Sequence, residues 1–208
     1  MSRTRLDQPK FWIVAGPNGS GKSSVYTDTD IKDFSGSVWI INPDLLTARI
    51  REIERLKQRE ANVAAVERIY GWLEASIAAH QTIGVETVLS TDKYRKLVLS
   101  AKARGFEVRL IYVLLNSLEL SVERVKLRVR KGGHNVPRAK IFQRRERSLQ
   151  QLPWFLKHCD LAWVFDNSGA TPRQLHRRLE RPSLSTPRLF PKFERRCGWS
   201  GPSDSAST

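Results

Sequence analysis

The sequence predicts an α/β fold, a three-layer sandwich in which helices cover both faces of a mostly parallel sheet of five strands. Short apolar segments alternate with helical patterns, as they do in βαβ units. The apolar segments are almost unbroken, as is typical of strands that are buried on both faces. A length of 208 residues with 40% hydrophobic content is enough for one domain with its own core.

The predicted strands are rich in β-branched and aromatic residues and lie between helical patterns. The strands are Lys10–Ala15, Ser37–Ile41, Gly84–Leu89, Val108–Leu115 and Leu161–Phe165. The helices are Gly21–Thr29, Pro43–Lys57, Glu60–His80, Asp92–Arg104, Leu118–Lys131 and Pro137–Leu152. Asn116, followed three residues later by Glu119, resembles a capping box for the fifth helix.

The end of the chain differs in composition from the predicted domain, which spans residues 1–182. Residues 183–208 are basic and rich in Pro and Ser without clear periodicity, which is typical of a partly disordered tail. Two cysteines are too few for a disulfide framework. Neither a signal peptide nor an apolar run of about 18 residues is found, so we expect a cytoplasmic protein without a membrane partner.

The chain carries a formal net charge of +15. A positive field of that size favours an anionic partner, such as a nucleotide, a nucleic acid or an acidic protein. A basic surface without a specific partner would have the same composition. The motifs must therefore decide between these interpretations.

A phosphate-binding loop follows the first predicted strand. Residues 16–23, GPNGSGKS, match G-x-x-x-x-G-K-[ST] between a strand and a helix. Glycines let successive N–H groups point at phosphate oxygens, while Lys22 would reach the β- and γ-phosphates and the Ser23 hydroxyl would bind Mg²⁺. The predicted ATP-binding residues of the loop are Gly16, Pro17, Asn18, Gly19, Ser20, Gly21, Lys22, Ser23 and Ser24.

Two other classes of P-loop protein fit the sequence less well than a small kinase does. A GTPase would carry N/T-K-x-D after a late strand, but the residues that follow Phe165 are Asp166 and Asn167, with no lysine. A motor ATPase would end a strand in adjacent acids, whereas VRLIYVLLNS ends in Asn116 and Ser117.

A carboxylate lies at the end of the second predicted strand, in INPD. The C-terminal ends of parallel strands border the ligand crevice, so Asp44 would face the same crevice as the loop. There it could accept a proton from a substrate hydroxyl. The alternative is that Asp44 only caps the helix that starts near Leu45, because Asn-Pro-Asp is common turn chemistry.

A second carboxylate interrupts the third predicted strand, in GVETVLST. Burial of an unpaired Glu86 would be costly, so it should have partners or lie in a polar pocket. Thr87 and Ser90 add hydroxyl groups that suit a polyhydroxylated ligand. The alternative is an edge strand with Glu86 in water.

A basic segment, ERVKLRVRKGGHNVPRAKIFQRRERSL, predicts two helices around a Gly-Gly hinge. Arg124 and Arg128 lie four residues apart, and Arg144 and Arg147 three apart, so each pair shares a helix face. Such a helical, arginine-rich lid can bring positive charge onto a γ-phosphate. A solvated basic helix or an RNA-binding arm would look similar.

These segments together resemble the zeta toxin family, specifically its small bacterial branch. The resemblance runs from about Lys10 to Gly169 through WIVAGPNGSGKSS, INPD, VETVLS, the Gly-Gly lid and VFDNSG. It implies a P-loop kinase fold and an ATP- and Mg²⁺-dependent transfer of phosphate to a hydroxyl of UDP-N-acetylglucosamine or another nucleotide-linked acceptor, such as NAD. It also implies an antitoxin protein as a partner.

The resemblance implies roles for individual residues. Asp44 would be the general base, Lys22 and Ser23 would hold phosphate and Mg²⁺, and Glu86 and Thr87, with Ser90, would bind the acceptor. The lid arginines would be Arg128, Arg144 and Arg147. Asn167 would lie by the adenine.

A nucleic-acid-binding NTPase is the competing hypothesis from a different class. The sequence has no zinc-ligand spacing, no RNP-like aromatic motif and no recognition helix. Nucleic acid is therefore not the favoured partner.

Overall fold

The computed structural model describes residues 8–27, 38–133 and 135–178. Within them the strands are β1 (Lys10–Ala15), β2 (Ile40–Ile41), β3 (Ile83–Thr87), β4 (Glu107–Leu114), β5 (Leu161–Asp166) and β6 (Arg173–Arg178). The helices are α1 (Lys22–Thr27), α2 (Pro43–Glu54), α3 (Gln58–Ala78), α4 (Arg95–Ala103), α5 (Leu118–Arg130) and α6 (Arg138–His158).

The sheet has the strand order β2-β3-β1-β4-β5-β6. The first five strands in this order are parallel to their neighbours, and β6 pairs antiparallel with β5. The prediction of five strands was therefore wrong by one, although the mostly parallel α/β class is confirmed. The segment RQLHRR of β6 has little apolar character, so it lacks the pattern by which a strand is recognised.

Both faces of the sheet are buried, and the residues of β1 alternate between them. Phe11, Ile13 and Ala15 belong to a large core that also holds buried side chains of α3, α4 and α6. Trp12 and Val14 belong to a second core on the opposite face, which includes a residue of α1. This alternation, with helices on both faces, is the predicted three-layer sandwich.

Most helix ends differ from the prediction by one to three residues, and the ends of α5 and α6 show the physical reasons. The N-cap of α5 is Ser117, whose Oγ accepts a hydrogen bond from Leu120 N at 3.1 Å, so the cap lies one residue after Asn116. Helix α6 runs six residues beyond Leu152 with Pro153 inside it. Phe155 and Leu156 are buried in the large core, and their burial offsets the backbone hydrogen bond that Pro153 cannot make.

The parallel arrangement places the C-terminal ends of β1, β2, β3, β4 and β5 at one edge of the sheet. The phosphate-binding loop follows β1 at that edge, and Gly16 N donates to Thr87 O at 3.2 Å, at the end of β3. The predicted boundary between residues 182 and 183 lies outside the described residues. Among the described helices, none has the length and apolar character that crossing a membrane would require.

Candidate active site

The loop after β1 has the backbone geometry of a phosphate cradle. Gly16, Gly19 and Gly21 have φ angles of +147°, +77° and +79°. A Cβ on Gly16 would lie 2.1 Å from Val113 O, and a Cβ on Gly19 would lie 2.6 Å from Ser121 O. Only glycine fits these positions, because the space and the backbone conformation both exclude a side chain.

Two buried polar atoms inside this loop lack a partner among the described residues, and one of them, the Ser20 hydroxyl, suits a phosphate ligand. Within the described part of the chain, Asn18 Oδ1 and Ser20 Oγ are buried and have no hydrogen-bond partner. A buried polar atom without a partner is costly unless a ligand or a water molecule satisfies it. The Ser20 hydroxyl can donate to a phosphate oxygen, so the loop fits the triphosphate that its sequence predicts.

Lys22 lies across the loop. Its Nζ donates to Gly16 O at 3.0 Å and to Pro17 O at 3.3 Å, and it is 3.9 Å from Glu86 Oε1. Burial lowers the pKa of Lys22, which the charges of Glu86 and Asp44 oppose and the charge of Arg128 reinforces. The ammonium group therefore lies among the groups that the sequence assigns to phosphate and acceptor.

Glu86 connects three elements of the site. Its Oε2 accepts hydrogen bonds from Ser23 Oγ and from Asn42 Nδ2, each at 3.0 Å. Strand β3 lies between β2 and β1, and the Glu86 side chain is only 13% exposed. The alternative of an edge strand with Glu86 in water is therefore wrong. Ser23 and Glu86 together offer the oxygen ligands that Mg²⁺ prefers.

Asp44 does not cap α2. The cap is Asn42, whose Oδ1 accepts from Asp44 N at 2.9 Å and from Leu45 N at 3.2 Å. The capping alternative is therefore wrong, and the Asp44 side chain is available for other contacts. Its Oδ2 lies 3.4 Å from Arg128 Nη1.

The Gly-Gly segment holds Arg128 at the end of α5. Gly132 N donates to Val129 O at 2.9 Å, and Gly133 N donates to Arg128 O at 3.0 Å. A Cβ on Gly133 would lie 2.6 Å from Arg128 Cγ and 2.9 Å from Arg128 O. The position of the Arg128 side chain therefore depends on the absence of a side chain at residue 133.

A further arginine of α5 reaches the phosphate cradle. Arg124 Nη1 lies 3.8 Å from the position that a Cβ would take on Gly21. One helical turn later, Arg128 contacts Asp44. The same face of α5 thus presents one guanidinium group to the cradle and one to the carboxylate. The spacing of four residues was the available signal, but Arg124 was not among the predicted site residues.

The two arginines of α6 that were predicted for the lid are less closely connected to the candidate site. Arg144 is half-buried and Arg147 is exposed. The described contacts join neither to the cradle nor to Asp44, so their lid role stays a prediction. Their neighbour Arg145 donates from Nη2 to Leu115 O at 3.1 Å, which ties α6 to the end of β4.

The remaining predicted residues lie at the same edge of the sheet. Thr87 Oγ1 accepts from Leu89 N at 3.0 Å and supports a turn in which Leu89 has a φ of +58°. Ser90 follows this turn and is half-buried. Asn167 Nδ2 donates to Ser20 O at 2.8 Å, so this side chain supports the phosphate loop from β5.

A cavity of about 340 Å³ opens beside Asp44, between α2, the start of α3 and the Gly-Gly segment. Its lining includes Arg51, Gln58, Asn62, Gly133 and Asn135. Sequence reasoning missed this cavity, because its lining comes from three segments that only the tertiary fold brings together.

The comparisons with known proteins agree with this geometry. The family model for zeta toxins matches residues 2–171. An uncharacterized protein of Haemophilus influenzae is 28% identical over 134 residues, which are 60% of this chain and 89% of that protein.

Solved structures share the fold. One reported for the PezAT chromosomal toxin-antitoxin system of Streptococcus pneumoniae has a TM-score of 0.60 at 16% identity, over 82% of this chain and 72% of that one. A chain of the AvrRxo1-ORF1:-ORF2 complex with ATP has a TM-score of 0.60 at 20% identity, over 82% of this chain and 58% of that one. A chain of the Pnkp1/Rnl/Hen1 RNA repair complex has a TM-score of 0.54 at 15% identity, over 89% of this chain and 54% of that one. The protein thus spans little more than half the length of the last two chains.

The family match covers most of the sequence, including the phosphate loop, Asp44, Glu86 and both lid helices. The chain belongs to the zeta toxin family, and it is an enzyme of the phosphotransferase class.

Proposed function

We propose that this protein transfers the γ-phosphate of ATP to a hydroxyl group of a nucleotide-linked small molecule. One observation carries the proposal: Asp44, a carboxylate that caps no helix, lies at the same sheet edge as the phosphate cradle and contacts Arg128 at 3.4 Å. A carboxylate and a triphosphate site that share one crevice are what a small-molecule kinase needs.

The cradle and its neighbours would bind ATP. The N–H groups of residues 18–23 and the Ser20 hydroxyl would donate to phosphate oxygens, and Lys22 would move from Gly16 O and Pro17 O onto the β- and γ-phosphates. Ser23, with Glu86 hydrogen-bonded to it, would hold Mg²⁺. When bound, the ion neutralises charge on the β- and γ-phosphate oxygens.

Asp44 would act as the general base. As the acceptor oxygen forms its bond to the γ-phosphorus, the bond from that phosphorus to the β,γ-bridging oxygen breaks, ADP leaves, and the acceptor proton passes to Asp44. Arg128 would orient Asp44 before the reaction, and Arg124, next to Gly21, would stabilise charge on the transferred group.

The family resemblance supports UDP-N-acetylglucosamine as the acceptor, with NAD as the second choice. The likeness to a chain of the PezAT toxin-antitoxin system supports toxicity and an antitoxin partner. Incubation with γ-labelled ATP, Mg²⁺ and a panel of nucleotide sugars and dinucleotides tests the acceptor class. We expect label on one compound of the panel. Hydrolysis of ATP with no labelled acceptor would contradict the proposal.

A nucleic acid is the second candidate acceptor, and the charge of +15 is the observation that favours it. The same assay should therefore include an RNA oligonucleotide with a 5′-hydroxyl. Binding of RNA through phosphate contacts would weaken steeply with salt, because each contact releases a counterion. Labelled RNA, with no labelled small molecule, would replace the first candidate by the second.

A further inference from the structure

A row of polar and aromatic side chains runs along α6, beside the row that packs in the core. Its members recur at alternating spacings of four and three residues, so they share one helix face. They are Lys140, Arg144, Arg147, Gln151, Trp154 and His158, and we call them the α6 row. All of them are exposed or half-buried. The neighbouring row is buried and consists of Ile141, Ser148, Leu152 and Phe155. Packing of the buried row therefore fixes the direction in which the α6 row points.

The first half of the α6 row is cationic. In the part of the chain that the structure describes, no carboxylate forms an ion pair with Lys140, Arg144 or Arg147. The one acid of α6, Glu146, is two residues from Arg144 and lies on a different face. Lys140 and Arg144 are four residues apart, where like charges repel each other. An extended anion that contacts several of these cations would relieve the repulsion.

The second half of the α6 row carries a stack of planar groups. The rings of Trp154 and His158 have centroids 3.9 Å apart and are within 12° of parallel. The guanidinium carbon of Arg95, on α4, lies 5.0 Å from the centre of the Trp154 ring. Arg95 Nε and Nη2 both donate to Gln151 Oε1, at 3.1 and 2.8 Å, which fixes the guanidinium plane. A nucleobase stacks on aromatic and guanidinium planes of this kind.

The α6 row leads away from the candidate active site. Helix α6 ends at His158 and β5 begins at Leu161, so this end of α6 lies at the opposite edge of the sheet. At the other end, Arg145 ties a different face of α6 to Leu115 O after β4. From Lys140 to His158 the axial distance is about 27 Å. A ligand that contacts the whole row must therefore be extended rather than compact.

From the cations and the stack together we infer that α6, with Arg95 of α4, binds single-stranded nucleic acid. The cations contact successive phosphates, and the stack holds a base. Proteins that bind single strands without sequence preference combine these two features. An acidic protein segment would match the charge but would make no use of the stack. The inference concerns binding, goes beyond the proposed phosphate transfer and does not depend on it, because the described contacts join no member of the row to the cradle or to Asp44.

The salt dependence of binding counts the phosphate contacts. Fluorescence anisotropy measures binding of the full chain to a labelled single strand of about ten nucleotides, in EDTA because Mg²⁺ competes for phosphates. Each contact contributes about −0.7 to the slope of log K against log salt, so Arg95 and the three cations of the row predict about −3. Arg144→Gln combined with Arg147→Gln should reduce the slope to about −1.5. The control, Lys126→Gln combined with Arg130→Gln, removes two exposed cations of α5 and should leave the slope unchanged.

A strand without bases tests the stack. An abasic strand of the same length carries the same phosphates, and the protein should bind it about tenfold more weakly than the strand with bases. Trp154→Leu should abolish this difference and leave the salt slope unchanged, and thermal unfolding checks that the variant is folded. Arg95→Lys keeps the charge at the surface of α4 but removes the planar group, so it should reduce the difference without changing the slope.

Four results would overturn the inference. The first is an equal slope for the two double variants, and the second is equal binding of the abasic strand and the strand with bases. The third is binding of polyglutamate as tightly as the strand, which would make an acidic protein the partner. The fourth is displacement of the strand by Mg²⁺ with a non-hydrolysable ATP analogue, which would place the strand in the cradle. None of these results bears on the proposed transfer of phosphate to a small molecule.

Discussion

Arg128 Nη1 lies 3.4 Å from Asp44 Oδ2, across 84 positions of sequence. The contact joins the end of α5 to the first turn of α2. In this position Arg128 can orient the Asp44 carboxylate while lying close enough to Lys22 to affect its pKa. The charges of Asp44, Arg128 and Lys22 therefore influence one another.

Replacement of Asp44 tests the proposed base. In Asp44→Asn, kcat should fall by a factor of about 10² to 10⁴, since the amide cannot accept the proton. ATP affinity should stay within about twofold, because the cradle is unchanged. Steady-state kinetics with the labelled acceptor measure kcat, and calorimetry measures the affinity for ATP. The control is Glu52→Gln on the same helix, which pairs with Arg49 at the surface. Full turnover by Asp44→Asn would remove Asp44 from the mechanism.

Arg124 should contribute more to turnover than the arginines of α6. Arg124→Ala should lower kcat by a factor of about 10³, the low end for an arginine that stabilises the transferred phosphoryl group. Arg144→Ala and Arg147→Ala should have smaller effects, because their described contacts join neither the cradle nor Asp44. Lys126→Ala, an exposed cation of α5, is the control for loss of charge. If Lys126→Ala and Arg124→Ala behave alike, only overall charge matters.

A methyl group at residue 133 should disturb the site without unfolding the protein. In Gly133→Ala the new Cβ would lie 2.6 Å from Arg128 Cγ and 2.9 Å from Arg128 O, so the Arg128 side chain and the Gly-Gly turn must shift relative to each other, which disturbs the contact with Asp44. We expect kcat to fall about tenfold or more. Gly71→Ala is the matched control, because nothing lies within 4 Å of its Cβ and it is inside α3. That change should stabilise the fold by about 0.5–1 kcal/mol. Thermal unfolding and kinetics distinguish the two effects, and unchanged kinetics in Gly133→Ala would argue against a role for the Arg128–Asp44 contact.

ATP binding should take up a proton at alkaline pH. Burial lowers the pKa of Lys22 from the ordinary value of 10.5, whereas bound phosphate favours the charged form and raises it. Below the pKa of the free protein Lys22 is charged in both states, so affinity is highest there. As pH rises through that pKa, binding must add a proton and affinity falls. Calorimetry in buffers of different ionisation enthalpy measures the uptake. Lys22→Met should abolish it; uptake that persists in Lys22→Met would assign the proton to another group.

The lowered pKa of Lys22 also makes the stability of the fold depend on pH. Because the folded-state pKa of Lys22 lies below that of the unfolded chain, burial of the charged form costs stability at low pH. The free energy of unfolding should therefore increase as pH rises through the folded pKa towards 10.5. Comparison with Lys22→Met isolates the contribution of this residue.

Glu86 should matter more for Mg²⁺-ATP than for ATP alone. In Glu86→Gln the hydrogen bond from Ser23 can persist but the negative charge beside it is lost. We expect affinity for ATP with Mg²⁺ to fall about tenfold and affinity for ATP in EDTA to stay level or rise. Glu107→Gln, on β4 and away from the cradle, is a control of equal charge change. An equal loss with and without the metal would indicate that Glu86 only holds the loop in shape.

Local sequence patterns predicted the segments of the candidate site, but not the features that depend on tertiary contacts. The P-loop and the strand ends with Asp44 and Glu86 lie within contiguous motifs, so their positions at one sheet edge followed from the parallel topology. Strand β6 was missed because RQLHRR is held by pairing with β5 rather than by its own apolar pattern. The choice between Arg124 and the arginines of α6 depends on which helix face meets Gly21, and spacing alone cannot show that.

Asn42 has a consequence for how the site is assembled. One side chain both caps α2, two residues before Asp44, and donates to Glu86, which in turn accepts from Ser23. The carboxylate that we propose as the base and the hydroxyl that we propose as a Mg²⁺ ligand are thereby aligned as the chain folds. The orientational entropy of that alignment is lost once, during folding, rather than in every catalytic cycle.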